Sequence, residues 1–364
     1  MAAPPHAAAA TPHAGRAGTL SVAARSFGVV PPHALPFAPR RILIGTRAHA
    51  DITAALAVRR PDLTCRGAEH TDVTADDLAW ADVYIGFKRP PRVAGLGAVR
   101  WVHCTGAGVD AWLAPPGLDP SILLTRTPES FGPAIAEWAV ARVLAFQQQL
   151  SDMANAQRAH RWTPRDIPPV AGTRALVVGT GDVGSAIARA LAGVGVIVTG
   201  VSRTGESYSV ASDGGAAGTP RDAISSPFRA IHRVDALATL VGDADWIVMA
   251  LPDTPATRGL FSRDILARCR GAVLLNAGRG AALDEAVLPG ALARGWLRGL
   301  ALDVFAVEPL PDESPLWDDP RVMISPHCAG RTTVDGAVNG FLECLAELEA
   351  GRLPKWVVDR DRGY

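Results

Sequence analysis

The chain has 364 residues, 48% of them hydrophobic, and its 36 basic and 36 acidic side chains cancel to a formal charge of zero. That length exceeds what one hydrophobic core usually covers, so two domains are expected. A neutral chain with no basic stripe and no aromatic platform beside Lys or Arg argues against a nucleic-acid surface, and no apolar run reaches the roughly 18 residues that a membrane span needs.

Residues 1–40 are rich in Ala, Pro and His, and no acidic residue precedes Asp51. Such a tract cannot bury a core and is expected to be a disordered extension. Its prolines interrupt the amphipathic helix of an organelle-targeting segment, and it lacks the apolar stretch of a secretory signal. The five cysteines, Cys65, Cys104, Cys269, Cys328 and Cys344, are scattered without a C-x-x-C pair. Neither a disulfide framework nor a metal site is signalled, and a protein of a reducing cytoplasm is expected.

Strands are expected at 41–45, 82–86 and 101–104, separated by helix-length segments, as a first α/β unit. The third runs into Thr105-Gly106-Ala107-Gly108-Val109-Asp110, where glycine permits close approach of a ligand to backbone N–H groups; an ordinary glycine turn is the alternative. Residues 135–153 keep helical periodicity without Gly or Pro and predict one long helix bridging two units. A proline-punctuated loop follows at 162–169.

The second unit opens with the apolar run 175–178, then Gly179-Thr180-Gly181-Asp182-Val183-Gly184, then a helix through 192. Strand, glycine turn and helix in that order make a dinucleotide site, with the pyrophosphate at the helix N-terminus. The next strand, 196–201, ends in Ser202-Arg203-Thr204, where an acid would otherwise hold a ribose 2′-hydroxyl. A carboxylate there repels a 2′-phosphate, whereas Ser, Arg and Thr bind one, so NADP is expected over NAD. The alternative is a glycine turn that binds nothing, with Arg203 a solvated charge. Residues 206–227, rich in Ser, Gly and Ala, predict a surface insertion. Apolar runs at 246–251, 272–275, 297–305 and 322–325 alternate with helical stretches, which predicts a parallel, doubly wound sheet. An amphipathic helix at 334–350 is expected to return to the first unit.

Three loops end strands of the second unit with polar groups: Asn276-Ala277-Gly278-Arg279-Gly280, then Asp303 through Glu308-Pro309, then Ser325-Pro326-His327-Cys328-Ala329-Gly330. Carboxyl ends of parallel strands are where α/β sheets hold ligands. With Leu302 to Pro311 and Pro315-Leu316-Trp317, these residues meet the pattern N-x-x-R-G, L-D-V-F-x-x-E-P-L-P, P-L-W, P-H-x-A-G. In them the chain resembles the D-isomer-specific 2-hydroxyacid dehydrogenases, over residues 41–357. Ser202-Arg203-Thr204 and Trp138 make it most similar to the glyoxylate and hydroxypyruvate reductases.

The resemblance implies an α/β fold of two Rossmann-like or flavodoxin-like domains with doubly wound parallel sheets and an active site in the cleft between them. A substrate-binding domain of 41–140 with 328–364 and an NAD(P)-binding domain of 141–327 are expected. It also implies hydride transfer from NADPH, with NAD the second cofactor choice, to a small 2-oxo acid such as glyoxylate or hydroxypyruvate. The assembly implied is a cytoplasmic homodimer paired through the cofactor domain and helix 135–153. Arg279 would hold the substrate carboxylate and polarise its carbonyl, a task suited to a planar fork. His327, beside the cofactor, would be the proton donor, since imidazole changes charge near neutral pH, and Glu308 would orient it and favour its charged form. Asp303 would receive the nicotinamide carboxamide, and Leu251, Pro252, Thr254, Thr257, Ala277 and Gly278 would line the cofactor. Gly106, Ala107 and Gly108 would meet the substrate carboxylate, with Phe87-Lys88-Arg89 facing the substrate. Taken singly, an Arg capping a strand, a surface Glu and a structural His are the blander alternatives. Two rival functions stay open: an NAD-dependent dehydrogenase of another D-2-hydroxy acid, and a dinucleotide-sensing corepressor that binds partner peptides.

Overall fold

In a computed structural model, residues 38–114, 117–128, 130–206 and 226–363 are described. The tract expected to be disordered, through residue 37, and nearly all of the insertion expected at 206–227 lie outside the described residues.

Strands β1 (Arg41–Gly45), β2 (Thr64–Ala68), β3 (Val83–Ile85), β4 (Trp101–Cys104) and β5 (Leu123–Arg126) form a first sheet in the order β2-β1-β3-β4-β5, every pairing parallel. Its inner strands β1, β3 and β4 are buried almost throughout, because helices cover both faces. Edge strand β2, T-C-R-G-A, is half-exposed along its length, so it carries no apolar run and escapes a reading by periodicity. Helices α1 (His49–Arg59), α2 (Ala75–Trp80) and α3 (Asp110–Leu113) link these strands. At α2 the Thr74 hydroxyl accepts from the Asp77 N–H while the Asp77 carboxylate receives the Thr74 N–H, a reciprocal cap.

The expected single helix at 135–153 is two. Helix α4 (Gly132–Gln147) starts with proline in its first turn, and α5 (Leu150–Arg158) starts after Gln149, which takes a left-handed φ of 52°. Nothing in the polar run Gln147-Gln148-Gln149 marks a break, since glutamine is a good helix former. Helix α4 buries Ile135, Ala139 and Val143 against Ile187, Ala188 and Leu191 of α6 (Asp182–Gly193). The boundary expected at 140 therefore falls inside a helix whose buried face packs on the second sheet. None of the residues of α5 is buried.

The second sheet comprises β6 (Arg174–Val178), β7 (Ile197–Ser202), β8 (Ala230–Arg233), β9 (Trp246–Met249), β10 (Ala272–Asn276), β11 (Leu297–Leu302) and β12 (Val322–Ile324). They are parallel in the order β12-β11-β10-β9-β6-β7-β8, with short helices α7 (Leu237–Leu240), α8 (Arg263–Leu266) and α9 (Leu288–Ala293) in the connections. The order reverses between β6 and β9, the topological switch point at which doubly wound sheets open a ligand crevice. Finally α10 (Val334–Glu349), capped by the Thr333 hydroxyl, returns to the first sheet as expected and buries Phe341, Leu345 and Leu348 with Ile52 and Leu56 of α1. No helix among the described residues is long and apolar enough to cross a membrane.

Directly before the 105–110 turn, the fully buried His103 ring lies 2.8 Å from Thr125 Oγ1 through Nδ1 and 2.9 Å from Thr127 Oγ1 through Nε2. Trp101 and Phe341 stand edge-on to it. Burial pushes this imidazole down to about 3, so the folded protein keeps it neutral while the unfolded chain protonates near the ordinary value of about 6.5. The unfolded state binds the extra proton between those values, so stability is intact above about 6.5 and falls as pH drops toward about 3. Thermal melts between about pH 7 and about pH 5 should show Tm falling in the wild type and falling less in His103→Gln. Parallel slopes would remove His103 as the cause.

Candidate active site

The neighbouring strands β10, β11 and β12 end side by side, and three polar loops leave from that edge. Buried Asn276 closes the first: its amide nitrogen donates to the Arg279 carbonyl at 3.1 Å and its Oδ1 receives the Gly278 N–H at 3.1 Å. A Cβ on Gly280 would stand 1.9 Å from the Phe305 carbonyl carbon, so only glycine lets the first loop lie against the second. Arg279 then reaches across to the first unit, where its Nε donates to Asp110 Oδ2 at 2.7 Å and its Nη1 to the Gly278 carbonyl at 2.8 Å. Its Nη2 lies 1.6 Å from where a Cβ on Gly108 would be. The bare Gly108 backbone is what makes room for the guanidinium.

His327 is held in a left-handed backbone conformation, φ 50°, which costs a non-glycine residue about 1–3 kcal/mol and persists only where its surroundings impose it. Here its N–H donates to the carbonyls of Asp303 and Ser325 at 2.8 and 3.1 Å. Its ring Nδ1 is 2.8 Å from Glu308 Oε2, while Glu308 Oε1 receives the Phe305 N–H at 3.0 Å. A carboxylate only accepts, so Nδ1 carries the proton and Nε2 is left for another partner; among the described residues it has none. The ring is 44% exposed and can meet a ligand from the cleft. Beside this pair Glu285 receives the Ala306 N–H at 2.5 Å, and burial, helped by the nearby Glu308 charge, raises its carboxyl above the ordinary range.

Asp303 is 2% exposed, and both carboxylate oxygens hold the His327 loop: Oδ1 receives the Ser325 hydroxyl and the Cys328 N–H, and Oδ2 the Ala329 N–H. A sequence match gives the residue type at the strand end but not the direction of its carboxylate.

At the dinucleotide turn, Gly179 takes φ 101°, and a Cβ on Gly184 would stand 1.8 Å from the Gly179 carbonyl oxygen. A Cβ on Gly181 would meet nothing within 4 Å, so this face is open, and α6 begins there with no side chain capping it. The N–H groups of Gly181 and Val183 find no acceptor among the described residues. Open space, unspent donors and the positive end of a helix fit a pyrophosphate. Thr180 is buried and donates to the Glu206 carbonyl at 3.1 Å. Ser202 is engaged within the protein: its hydroxyl receives the Gly205 and Glu206 N–H groups and donates to the Glu206 carbonyl, so it shapes the turn. Arg203 and Thr204 are exposed at that turn. Thr257 is likewise used locally, donating to the Pro252 carbonyl at 2.6 Å and receiving the Thr254 N–H, while Leu251 lies against Gly278. That contact, and the inclusion of Ala250 and Ala277 in one apolar cluster, set the loops after β9 and β10 side by side.

The 105–108 turn spends its carbonyls on the protein. Those of Thr105, Gly106, Ala107 and Gly108 accept from the Thr332 hydroxyl, the Thr127 N–H, the Arg126 guanidinium and the Cys104 thiol respectively. The N–H groups of Ala107 and Gly108 have no acceptor among the described residues. Paired, unspent N–H groups of this kind form a concavity suited to an anion. Phe87 lies on this turn, at the place a Gly106 Cβ would fill, while Lys88 is exposed and Arg89 is turned to the Trp112 carbonyl. Asp110 and Arg126 were not foreseen in these roles; a carboxylate closing a glycine turn, in a chain that also offers an arginine at a facing strand end, was the available signal.

Residues 140–329 match the NAD-binding domain of the D-isomer specific 2-hydroxyacid dehydrogenases. The chain belongs to that family. It is 31% identical to glyoxylate/hydroxypyruvate reductase A of Serratia proteamaculans over 85% of this chain and 95% of that one. A D-isomer specific 2-hydroxyacid dehydrogenase of Xanthobacter autotrophicus, solved with NADPH and MES, superposes with a TM-score of 0.76 at 30% identity, covering 90% of this chain and all of that one. The NADPH-dependent glyoxylate/hydroxypyruvate reductase of Sinorhizobium meliloti, solved with NADP and sulfate, gives 0.76 at 27% identity over 89% of this chain and all of that one.

As a member of this family the protein is an NAD(P)-dependent dehydrogenase with the two-sheet α/β fold expected from its sequence. Gly184→Ala would drive the new Cβ into the Gly179 carbonyl and push the turn out of shape. Dinucleotide binding to this dehydrogenase, followed by quenching of its tryptophan fluorescence, should weaken at least about tenfold, or ~1.4 kcal/mol. An unchanged Kd would show that the turn does not form the site.

Proposed function

We propose that the protein reduces a small 2-oxo acid, glyoxylate or hydroxypyruvate, to the D-2-hydroxy acid with NADPH. The observation that carries this reading is the His327–Glu308 pair at 2.8 Å, with Nε2 left unengaged. The bound nicotinamide supplies the hydride. Arg279 holds the substrate carboxylate with the edge of its guanidinium not tied to Asp110, and the N–H groups of Ala107 and Gly108 take part of the same charge. Asp110 fixes the plane of that fork, so less freedom is lost on binding. His327 Nε2 gives its proton to the carbonyl oxygen as the alkoxide forms, and Glu308 receives the Nδ1 proton's hydrogen bond throughout, keeping the ring's aim.

For the 2′-phosphate, Arg203 supplies a charge at the end of β7 with no acidic partner among the described residues, and the relatives solved with NADPH and NADP support the same choice. The proposed division is a substrate-binding part of 41–140 with 328–364 and a dinucleotide part of 141–327, α4 crossing the first boundary. We also place the protein in the cytoplasm, in keeping with five unpaired cysteines, as a homodimer. Leu150 and Met153 on α5 and the 96% exposed Trp162 after it offer apolar surface to a second copy.

Steady-state rates with a panel of 2-oxo acids and each reduced dinucleotide test this. Glyoxylate or hydroxypyruvate should be the best substrate, NADPH should exceed NADH in kcat/KM, and His327→Ala should lose at least about a hundredfold. Better efficiency with NADH would reverse the cofactor assignment. Dinucleotide binding without turnover of any 2-oxo acid would favour a sensing protein.

A further inference from the structure

A chain of hydrogen bonds runs from α4 to the His327 loop. The indole Nε1 of Trp138 donates to Ser325 Oγ at 2.9 Å, and Ser325 Oγ donates to Asp303 Oδ1 at 2.5 Å. The same carboxylate receives the N–H groups of Cys328 and Ala329 at 3.0 and 2.9 Å, and the Asp303 carbonyl receives the N–H of His327 at 2.8 Å. All three side chains are buried, at 5%, 6% and 2% exposure for Trp138, Ser325 and Asp303.

The donors and acceptors of this chain can be ordered in only one way. An indole has a donor and no acceptor, so the serine oxygen must receive from it. The serine then has one proton left, and it goes to a carboxylate that can only accept. A serine hydroxyl ordinarily rotates among partners; here both neighbours dictate its direction. One anion consequently ties residue 325 on one side of His327 and residues 328 and 329 on the other, closing the loop around the one residue in it that holds an unfavourable φ of 50°.

We propose that Trp138 and Ser325 are positioning residues for proton transfer: with Asp303 they hold the His327 backbone in its left-handed conformation and so aim the imidazole. The proposal rests on His327 being the acid in the reading above. It also joins the proton donor to α4, the helix packed on the dinucleotide helix α6, through the only polar atom of the Trp138 side chain. Arg142, one turn along α4, stacks 4.9 Å from the centroid of that indole.

Ser325→Ala cuts the chain with the loss of one oxygen, and Trp138→Phe removes the donor while keeping an aromatic ring. Each variant should lower kcat for 2-oxo acid reduction about tenfold, with the dinucleotide Kd unchanged, and the double variant should fall little further than either single, because one chain is interrupted once. The solvent deuterium isotope effect on kcat should rise in both as proton delivery becomes slower. In an amide-type 15N spectrum of the free protein, the Trp138 indole N–H should exchange slowly in the wild type and quickly in Ser325→Ala. A fall in Tm with kcat unchanged would mark the chain as packing only and overturn the proposal, as would additive losses in the double variant. A His327→Ala enzyme of full activity would sink the acid reading and this inference together; an inactive His327→Ala beside a fully active Ser325→Ala would sink this inference alone.

Discussion

The Arg279–Asp110 ion pair, 2.7 Å long and with both side chains less than one-third exposed, is where the polar edges of the two sheets meet. Each sheet is parallel and buries its inner strands, so these offer polar groups at the carboxyl edge, and a cleft forms where those edges face one another. Arg279 stands at the end of β10 and Asp110 at the end of the turn after β4. Gly108 and Gly280 are the permissive residues on either side: a Cβ on Gly108 would collide with the Arg279 guanidinium, and one on Gly280 with the Phe305 backbone of the neighbouring loop. Losing one partner of such a half-buried pair leaves the other charge poorly solvated, which costs more than the pair itself contributes.

Around that contact the chain leaves specific groups unspent. Carbonyls of the 105–108 turn are satisfied from within the protein while N–H groups of Ala107 and Gly108 are not. The N–H groups of Gly181 and Val183 at the start of α6 are likewise open, and His327 Nε2 has no partner among the described residues. Buried or cleft-facing polar groups are normally paired, so polar groups left open in these three places are what the proposed reading gives to a ligand. The remaining carboxylates serve aim and not contact. Glu308 turns the imidazole, Asp303 shapes the loop beneath it, and Asp110 sets the plane of the guanidinium.

Much of this was legible in the sequence, because glycines and strand-end motifs report backbone requirements directly. Gly179, Gly181 and Gly184 sit where the turn needs a positive φ, an open face and a close approach, and the three polar loops leave from neighbouring strands as their apolar runs implied. Edge strands β2 and β8 were not legible, since they are exposed and carry no apolar alternation. The break at Gln149 was hidden in a run of good helix formers. Ser202 and Asp303 were legible as polar residues at strand ends, but not the hydrogen bonds they make within the protein. Which way a short polar side chain points depends on donors brought near by the fold, here Gly205, Glu206, Ser325, Cys328 and Ala329, and one-dimensional spacing carries no trace of them.

A crystal structure of the protein with NADP and oxamate, an inert mimic of a 2-oxo acid, tests the central claim most directly. The account predicts the oxamate carboxylate on Arg279 and on the N–H groups of Ala107 and Gly108, with its carbonyl oxygen within about 3 Å of His327 Nε2. Oxamate seated instead on Lys88 and Arg89, with His327 turned to solvent, would contradict it.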